Sequence, residues 1–232
     1  MKFTKSLIKG KLVKRYKRFF ADIKLNEETI IAHCPNTGSM MGLLDEGNEV
    51  FVSKNDDPKR KLKYTLEIIK VKKNLVGVNT HFANKIAFHG LSNNLVKEVK
   101  NTNNIKPEVF FDKETRFDFL VEKDNQKTFV EVKNVTLSRK DKLAEFPDAV
   151  TTRGSKHLKT LIAATKKGYK TYLLFLVQIQ GVTDFKIAKD IDKEYYENYK
   201  LAKKAGVKFL AYRCKISSKE IKIEKKIKII ND

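Results

Sequence analysis

Residues 116–133 read Arg116-Phe117-Asp118-Phe119-Leu120-Val121-Glu122-Lys123-Asp124-Asn125-Gln126-Lys127-Thr128-Phe129-Val130-Glu131-Val132-Lys133. Two aromatic and β-branched runs flank a short polar break from Glu122 to Lys127, the pattern of a β-hairpin. With Asp124-Asn125 as a two-residue turn, paired positions sum to 249 and Asp118 lies opposite Glu131. A side-chain period of two then puts Lys133 on the face of Glu131, and sends Phe117, Phe119, Val130 and Val132 to the other. Two carboxylates and an ammonium converge.

Acidic oxygens on adjacent strands, with the Val132 carbonyl between them, suit a hard divalent cation such as Mg²⁺, which prefers oxygen ligands and retains waters. A neighbouring Lys can orient or deprotonate one of those waters and stabilise charge building on phosphorus. The same spacing also fits a solvated strand face with a cross-strand ion pair, worth about 0.2–1 kcal/mol.

The remaining composition narrows the class. At 232 residues, with 41% hydrophobic and 33% charged residues, the chain can bury one large core or two modest ones. No apolar run approaches the roughly 18 residues of a membrane span. Met1 to Gly10 lacks the apolar core and cleavage site of a secretory signal, so a cytoplasmic protein is expected. Cys34 and Cys214, 180 positions apart, read as inert thiols in a reducing compartment, and His33, His81, His89 and His157 lack zinc spacing. A net charge of +21 favours a polyanionic partner. Lys supplies 42 of the 49 basic residues, a bias that A+T-rich coding would also produce.

Upstream, residues 1–80 carry short apolar or alternating runs at Leu12-Val13, Phe19–Ile23, Thr29–Ala32, Glu49–Ser53 and Tyr64–Val71, separated by polar turns. They predict a small five-stranded barrel of the oligonucleotide-binding type. Cations and rings interleave at Lys14-Arg15-Tyr16-Lys17-Arg18-Phe19-Phe20 and again from Lys59-Arg60 to Tyr64, as single-strand binding surfaces require. Arg15, Lys17, Arg18 and Arg60 are therefore candidate nucleic-acid ligands, although core rings alternating with solvated charges give the same pattern. The turn at Pro35-Asn36-Thr37-Gly38 could offer Asn36 and its amides to a phosphate.

Residues 81–232 form the second expected unit. Phe82, Ile86, Leu91 and Leu95 mark a helical stripe that Gly90 interrupts, predicting one bent helix or two short ones. Glu108 sits on the strand before the hairpin, where a third acidic ligand could enter. A polar loop is expected from Lys133 through Lys142, then a helix from Thr151 or Thr152 to Lys167, stopped by Gly168. Arg153 and His157, four apart, share one face of it. The apolar run Thr171–Val177 reads as a strand covered on both sides, so strand, helix and strand form a right-handed crossover and the sheet must be mixed. A helix capped by Asp192 and stopped by Gly206, a strand at Val207–Tyr212 and a basic edge hairpin at 221–229 complete the chain.

The words Lys14-Arg15-Tyr16-Lys17-Arg18-Phe19, His33-Cys34-Pro35-Asn36-Thr37-Gly38, Arg116-Phe117-Asp118-Phe119, Glu131-Val132-Lys133-Asn134-Val135-Thr136-Leu137, Phe146-Pro147-Asp148-Ala149-Val150-Thr151, Arg153-Gly154 and Lys156-His157-Leu158, with Ala211-Tyr212, run in order through residues 14–212. Together they resemble the sugar fermentation stimulation protein A family. The resemblance implies an α+β protein: an N-terminal five-stranded OB-like β-barrel followed by a restriction-endonuclease-like α/β domain with a mixed central sheet. It implies a cytoplasmic, metal-dependent DNA or RNA nuclease, with DNA, RNA or both as partner, no membrane association, and a homodimer admitted.

On that pattern Asp118, Glu131 and Lys133 are the catalytic residues. Asp118, Glu131, Val132 and Glu108 hold Mg²⁺ or Mn²⁺, while Arg153 and His157 join the nucleic-acid ligands. The alternative is a non-catalytic DNA-binding regulator of sugar metabolism genes. One departure stands out: two positions after His157-Leu158 the family usually carries Glu, and this chain has Thr160, which questions the support behind the site.

Overall fold

The computed structural model describes residues 1–113 and 115–230. Five strands build the first unit: β1 (Ile8–Tyr16), β2 (Phe20–Leu25), β3 (Glu28–His33), β4 (Glu49–Lys54) and β5 (Tyr64–Val71). Their order is β3-β2-β1-β4-β5, and β5 returns to β3 through Ala32↔Tyr64 and His33↔Thr65. The sheet closes on itself and leaves no open edge there, which is the expected barrel. Leu12, Ile23, Val50, Val52 and Leu66 fill it, each fully buried. Lys17 and Arg18 take φ of 48° and 62° in the three-residue turn, Lys17 to Phe19, that joins β1 to β2 beyond the Tyr16↔Phe20 pair. A short strand the sequence reading did not separate, β6 (Asn74–Gly77), extends the sheet beyond β5.

The second unit begins with a 3-10 turn at Thr80–Phe82, whose His81 amide donates to the Asn79 side chain. Helix α1 (Ala83–Ser92) follows, then β7 (Asn104–Phe110), β8 (Arg116–Lys123), β9 (Gln126–Val135), β10 (Leu137–Lys140) and β11 (Leu143–Phe146). Next come α2 (Thr152–Lys166), β12 (Lys170–Val177), β13 (Asp184–Ile187), α3 (Lys193–Lys204), β14 (Lys208–Ile216), β15 (Ile221–Lys226) and β16 (Lys228–Ile229). The large sheet runs β15-β14-β12-β9-β8-β7, with β9, β12 and β14 parallel and the outer pairs antiparallel. It is the mixed sheet the crossover required.

Helices α2 and α3 cover one face through Leu158, Leu161, Tyr195 and Tyr199. That core is continuous with the barrel interior, so the two units share apolar contacts rather than hanging on a linker. Helix α1 and β15 cover the other face around Ile86, Leu91, Val130, Leu174 and Ile223. Among the described residues no helix is long and apolar enough to cross a membrane.

Four local expectations need correction. Helix α1 is one continuous helix; Gly90 is there because a Cβ at that position would lie 2.4 Å from Ile223 Cδ1, so it admits β15 rather than bending the chain. The stretch from Lys133 to Lys142 is not a loop. Strand β9 continues to Val135, and β10 and β11 form a hairpin in a second, four-stranded sheet ordered β10-β11-β13-β16, hidden from a periodicity reading because its strands are only two to four residues long. The basic tail likewise divides, with β15 on β14 and β16 on β13. Finally, Phe117 and Phe119 do not share a face: Phe117 packs on Phe129, ring centroids 4.7 Å apart, whereas Phe119 faces Phe88 of α1. The strict period of two breaks at Asp118.

Candidate active site

The hairpin keeps its expected register, pairing Lys123↔Gln126 through Phe119↔Val130, every pair summing to 249. Asp124 and Asn125 form the turn at φ of 48° and 62°. The ladder stops at Asp118. There the Val132 amide donates to Asp118 Oδ2 at 2.7 Å, so a side chain takes a hydrogen bond that a strand carbonyl would ordinarily receive. The break places the carboxylate where the sheet opens.

Three elements hold this patch. From α1, Asn84 Nδ2 donates to Asp118 Oδ1 at 2.8 Å and reaches Glu108 Oε1 at 3.4 Å. From β9, Glu131 is 2% exposed, and Lys133 Nζ donates to its Oε1 at 2.8 Å. From α2, His157 Nδ1 meets the same Oε1, while Arg153 Nε donates to His157 Nε2 at 3.3 Å. Because Nε2 accepts that bond, the ring proton is assigned to Nδ1, and it points at Glu131.

Helix α2 is fixed from its first turn. Thr151 caps it by accepting from the Gly154 amide at 3.0 Å, and Asp192, the N-cap of α3, accepts from the Thr151 amide at 2.8 Å. A Cβ on Gly154 would lie 3.0 Å from the Tyr195 ring, so the bare backbone lets α2 settle one turn before His157. Gly168, at φ of 87°, ends the helix region as expected.

The two carboxylates are driven apart in acidity. Burial, reinforced by the negative charge of Glu131, raises Asp118 to about 6 against the hydrogen bonds from Val132 and Asn84 and the positive charge of Lys133. For Glu131 burial pushes the same way, but Lys133 and His157 outweigh it and hold that carboxyl below its ordinary value. Buried pairs whose environments separate their titrations are common at catalytic centres.

One atom remains unsatisfied: Glu131 Oε2 is buried with no hydrogen-bond partner. A buried carboxylate oxygen left bare is costly, and such an atom usually marks an ion or a water. Among the described residues no three His, Cys, Asp or Glu side chains gather as metal ligands. A cation here would therefore rest on two carboxylates, with backbone and water completing its shell, which suits Mg²⁺ or Mn²⁺. Oxygen donors, an orphaned Oε2 and a strained charge on Asp118 fit that ion.

The other sequence candidates fall in several places. Glu108, at φ of 55°, is paired with Arg116 at 2.8 Å and joins Asp118 only through Asn84. Arg15 braces two turns, donating to the carbonyls of Arg18, Asn36 and Gly38 at 2.7–3.1 Å. Asn36 is buried, and its Oδ1 accepts from the Gly38 amide. Arg15, Arg18 and Asn36 line a cleft of about 600 Å³ between the barrel and Asp148–Thr151, which does not include Asp118, Glu131 or Lys133. Lys17 is exposed on the β1–β2 turn, and Arg60 lines a separate cleft near α1.

Thr160 is buried, with its hydroxyl turned back to the Lys156 carbonyl of its own helix. Support comes from His157 and Asn84 instead. Asn84 was missed from sequence because nothing in a lone Asn of an amphipathic helix announces a carboxylate partner 34 positions away.

Comparison with known proteins gives a consistent result over the whole chain. Residues 13–78 match the family description "SfsA N-terminal OB domain", and residues 81–220 match "Sugar fermentation stimulation protein RE domain". A sugar fermentation stimulation protein homolog of Pelagibacter ubique is 84% identical over 231 residues, covering all of both chains. One from Pseudoalteromonas atlantica is 43% identical over 234 residues, covering 99% of this chain and all of the other. The solved structure of Pyrococcus furiosus SfsA in complex with Ca²⁺ superposes with a TM-score of 0.89 at 24% identity, over 100% of this chain and 98% of that one. The chain is thus a barrel joined to a mixed α/β sheet at every level of comparison, and it belongs to the sugar fermentation stimulation protein family, SfsA.

Proposed function

We propose that this protein is a cytoplasmic, metal-dependent nuclease that hydrolyses phosphodiester bonds in DNA, RNA or both. The observation that carries the proposal is the bare, buried Glu131 Oε2 beside a carboxyl raised to about 6. That arrangement is uncomfortable without a cation and comfortable with one. The Ca²⁺ complex of the Pyrococcus furiosus relative supports a divalent ion in a protein of this fold. Two buried, unbridged thiols, Cys34 and Cys214, fit a reducing compartment.

Asp118 and Glu131 would hold Mg²⁺ or Mn²⁺, with the Val132 carbonyl and Glu108 as further donors once Glu108 leaves Arg116. Such an ion polarises the phosphodiester and acidifies a water. Val132 and Asn84 fix both oxygens of Asp118, so that carboxylate is oriented before any ligand arrives. Lys133 neutralises Glu131 at rest and supplies the ammonium that positions the attacking water and faces charge growing on phosphorus. His157 holds Glu131 from the helix side, and Arg153 holds His157. Partly exposed, Arg153 is the group of α2 available to a flanking phosphate.

A second reading keeps binding and omits catalysis: a DNA-binding regulator. What favours it is that the cleft of Arg15 and Arg18 is lined by neither Asp118 nor Glu131. Incubating linear DNA, circular DNA and RNA with the protein and Mg²⁺, Mn²⁺ or EDTA separates the two. Cleavage that needs metal is expected on at least one substrate; tight binding with no cleavage on any of them, under any metal, would establish the regulator.

A further inference from the structure

A second cleft, of about 490 Å³, opens between the rim of the barrel and the start of α1. His33 reaches it from the end of β3, Lys54 from the end of β4, Arg60 from the following loop, and His81 and Lys85 from the α1 side. Its cations are not there to serve its acids. Asp56 is already paired with Lys5 at 2.6 Å and lies 4.0 Å from Lys54. Glu67 is 3% exposed, and both of its oxygens are occupied, by Ser53 Oγ at 2.6 Å and Asn79 Nδ2 at 2.8 Å. Burial pushes the Glu67 carboxyl upward, against the bonds from Ser53 and Asn79 and the nearby Arg60 charge.

Among the described residues the Arg60 guanidinium makes no ion pair or hydrogen bond, although it lies close enough to act on His33 and Glu67. The His33 and His81 rings face one another, centroids 6.4 Å apart, and bond to no acid. Arg60, two imidazoles and the Lys85 ammonium thus converge without an acid partner among the described residues, beside Lys54, which shares Asp56 with Lys5. Unpaired donors lining one cleft are a site for an anion.

The position of the cleft specifies which anion. Asn84, which bonds Asp118, is three residues on from His81 and next to Lys85. Residues three apart on a helical turn share a face and are about 5 Å apart along its axis. The cleft therefore begins about one helical turn from the catalytic carboxylate, on the barrel side.

We propose that this cleft is a backbone subsite that grips the phosphates of a single nucleic-acid strand next to the bond positioned at Asp118 and Glu131. Arg60, Lys54 and Lys85 neutralise the phosphates, and His33 and His81 donate hydrogen bonds to their oxygens. The space takes the backbone of one strand at a time. This placement rests on the nuclease reading, whereas the binding itself does not.

The test is fluorescence anisotropy with a labelled 12-nucleotide single-stranded DNA in EDTA, where nothing is cut, across a range of KCl concentrations. Arg60→Ala with Lys85→Ala is compared with Lys72→Ala with Lys73→Ala, which removes two charges at the distant β5–β6 turn. The first pair is expected to weaken binding at least tenfold at low salt and to lower the slope of log affinity against log salt by about 1.4, since each lost phosphate contact removes about 0.7. The control pair is expected to change it less than threefold. Equal losses in both variants, or no loss in the first, would overturn the subsite. Mn²⁺-dependent hydrolysis of bis(p-nitrophenyl) phosphate, which is too small to span the cleft, is measured alongside with the wild-type protein. If wild type fails to hydrolyse it, the nuclease reading is in difficulty while the anisotropy result still decides the subsite.

Discussion

Asp118→Asn is expected to lose Mg²⁺-dependent cleavage by about a thousandfold and yet to melt higher than wild type when no metal is present. The first effect follows from removing one of two anionic metal ligands; about 10³-fold corresponds to about 4 kcal/mol, a normal contribution for charge stabilisation by a held ion. The second follows from the acidity of the site. A carboxyl that stands at about 6 in the folded chain, against an ordinary 3.8, binds its proton more tightly when folded. Stability from that proton is fully present below pH 3.8 and is lost as pH rises to about 6, so above pH 6 the ionised group weighs against folding by about 3 kcal/mol.

Asn keeps an oxygen for the Val132 amide and carries no charge to set against Glu131. Thermal melts of both proteins in EDTA should diverge between pH 4 and pH 6, with the variant higher by several degrees at pH 7. A variant that melts lower at pH 7 would show that Asp118 is not the destabilised group described here.

Lys133→Met is expected to cost cleavage about 10²–10³-fold as well, but to move stability the opposite way. The substitution keeps much of the side-chain length and removes the ammonium from a carboxylate that is 2% exposed. His157 alone then opposes the burial of Glu131, whose carboxyl becomes less acidic and is pushed toward protonation. Breaking a buried pair from one side leaves the other charge uncompensated, which costs about 3 kcal/mol and, in a chain of this size, several degrees in melting temperature. Melting at pH 7 in EDTA checks the sign. Two substitutions that abolish the same reaction while shifting stability in opposite directions would be hard to explain by general damage to the fold.

Much of this geometry was legible in the residues themselves. The hairpin register could be read because Asp124-Asn125 tolerate left-handed angles and because a slip by one residue would exchange the faces of Phe129 and Val130, which pack into the two separate cores. Helix α2 announced both ends, through Thr151 and Gly168.

What escaped was whatever depended on contacts distant in sequence. The face swap at Phe117 arises because Asp118 takes the Val132 amide, a long-range bond with no local signal. Gly90 looked like a breaker, yet its reason lies in Ile223 on a strand 133 positions later. Within the site, the sequence supplied Asp118, Glu131 and Lys133 but gave His157 to a phosphate, whereas its ring belongs against Glu131. A spacing of four from Arg153 indicates a shared helix face and cannot indicate what that face meets.

Titrating Mn²⁺ into the metal-free protein by calorimetry, between pH 5 and pH 8, addresses the metal site most directly. Cation and proton compete for Asp118, so one ion per chain is expected, with affinity rising about tenfold per pH unit up to about pH 6 and levelling above it. Asp118→Asn should bind no ion in the same range. A pH-independent affinity in wild type, or binding that survives the substitution, would mean that the Asp118–Glu131 pair is not a cation site.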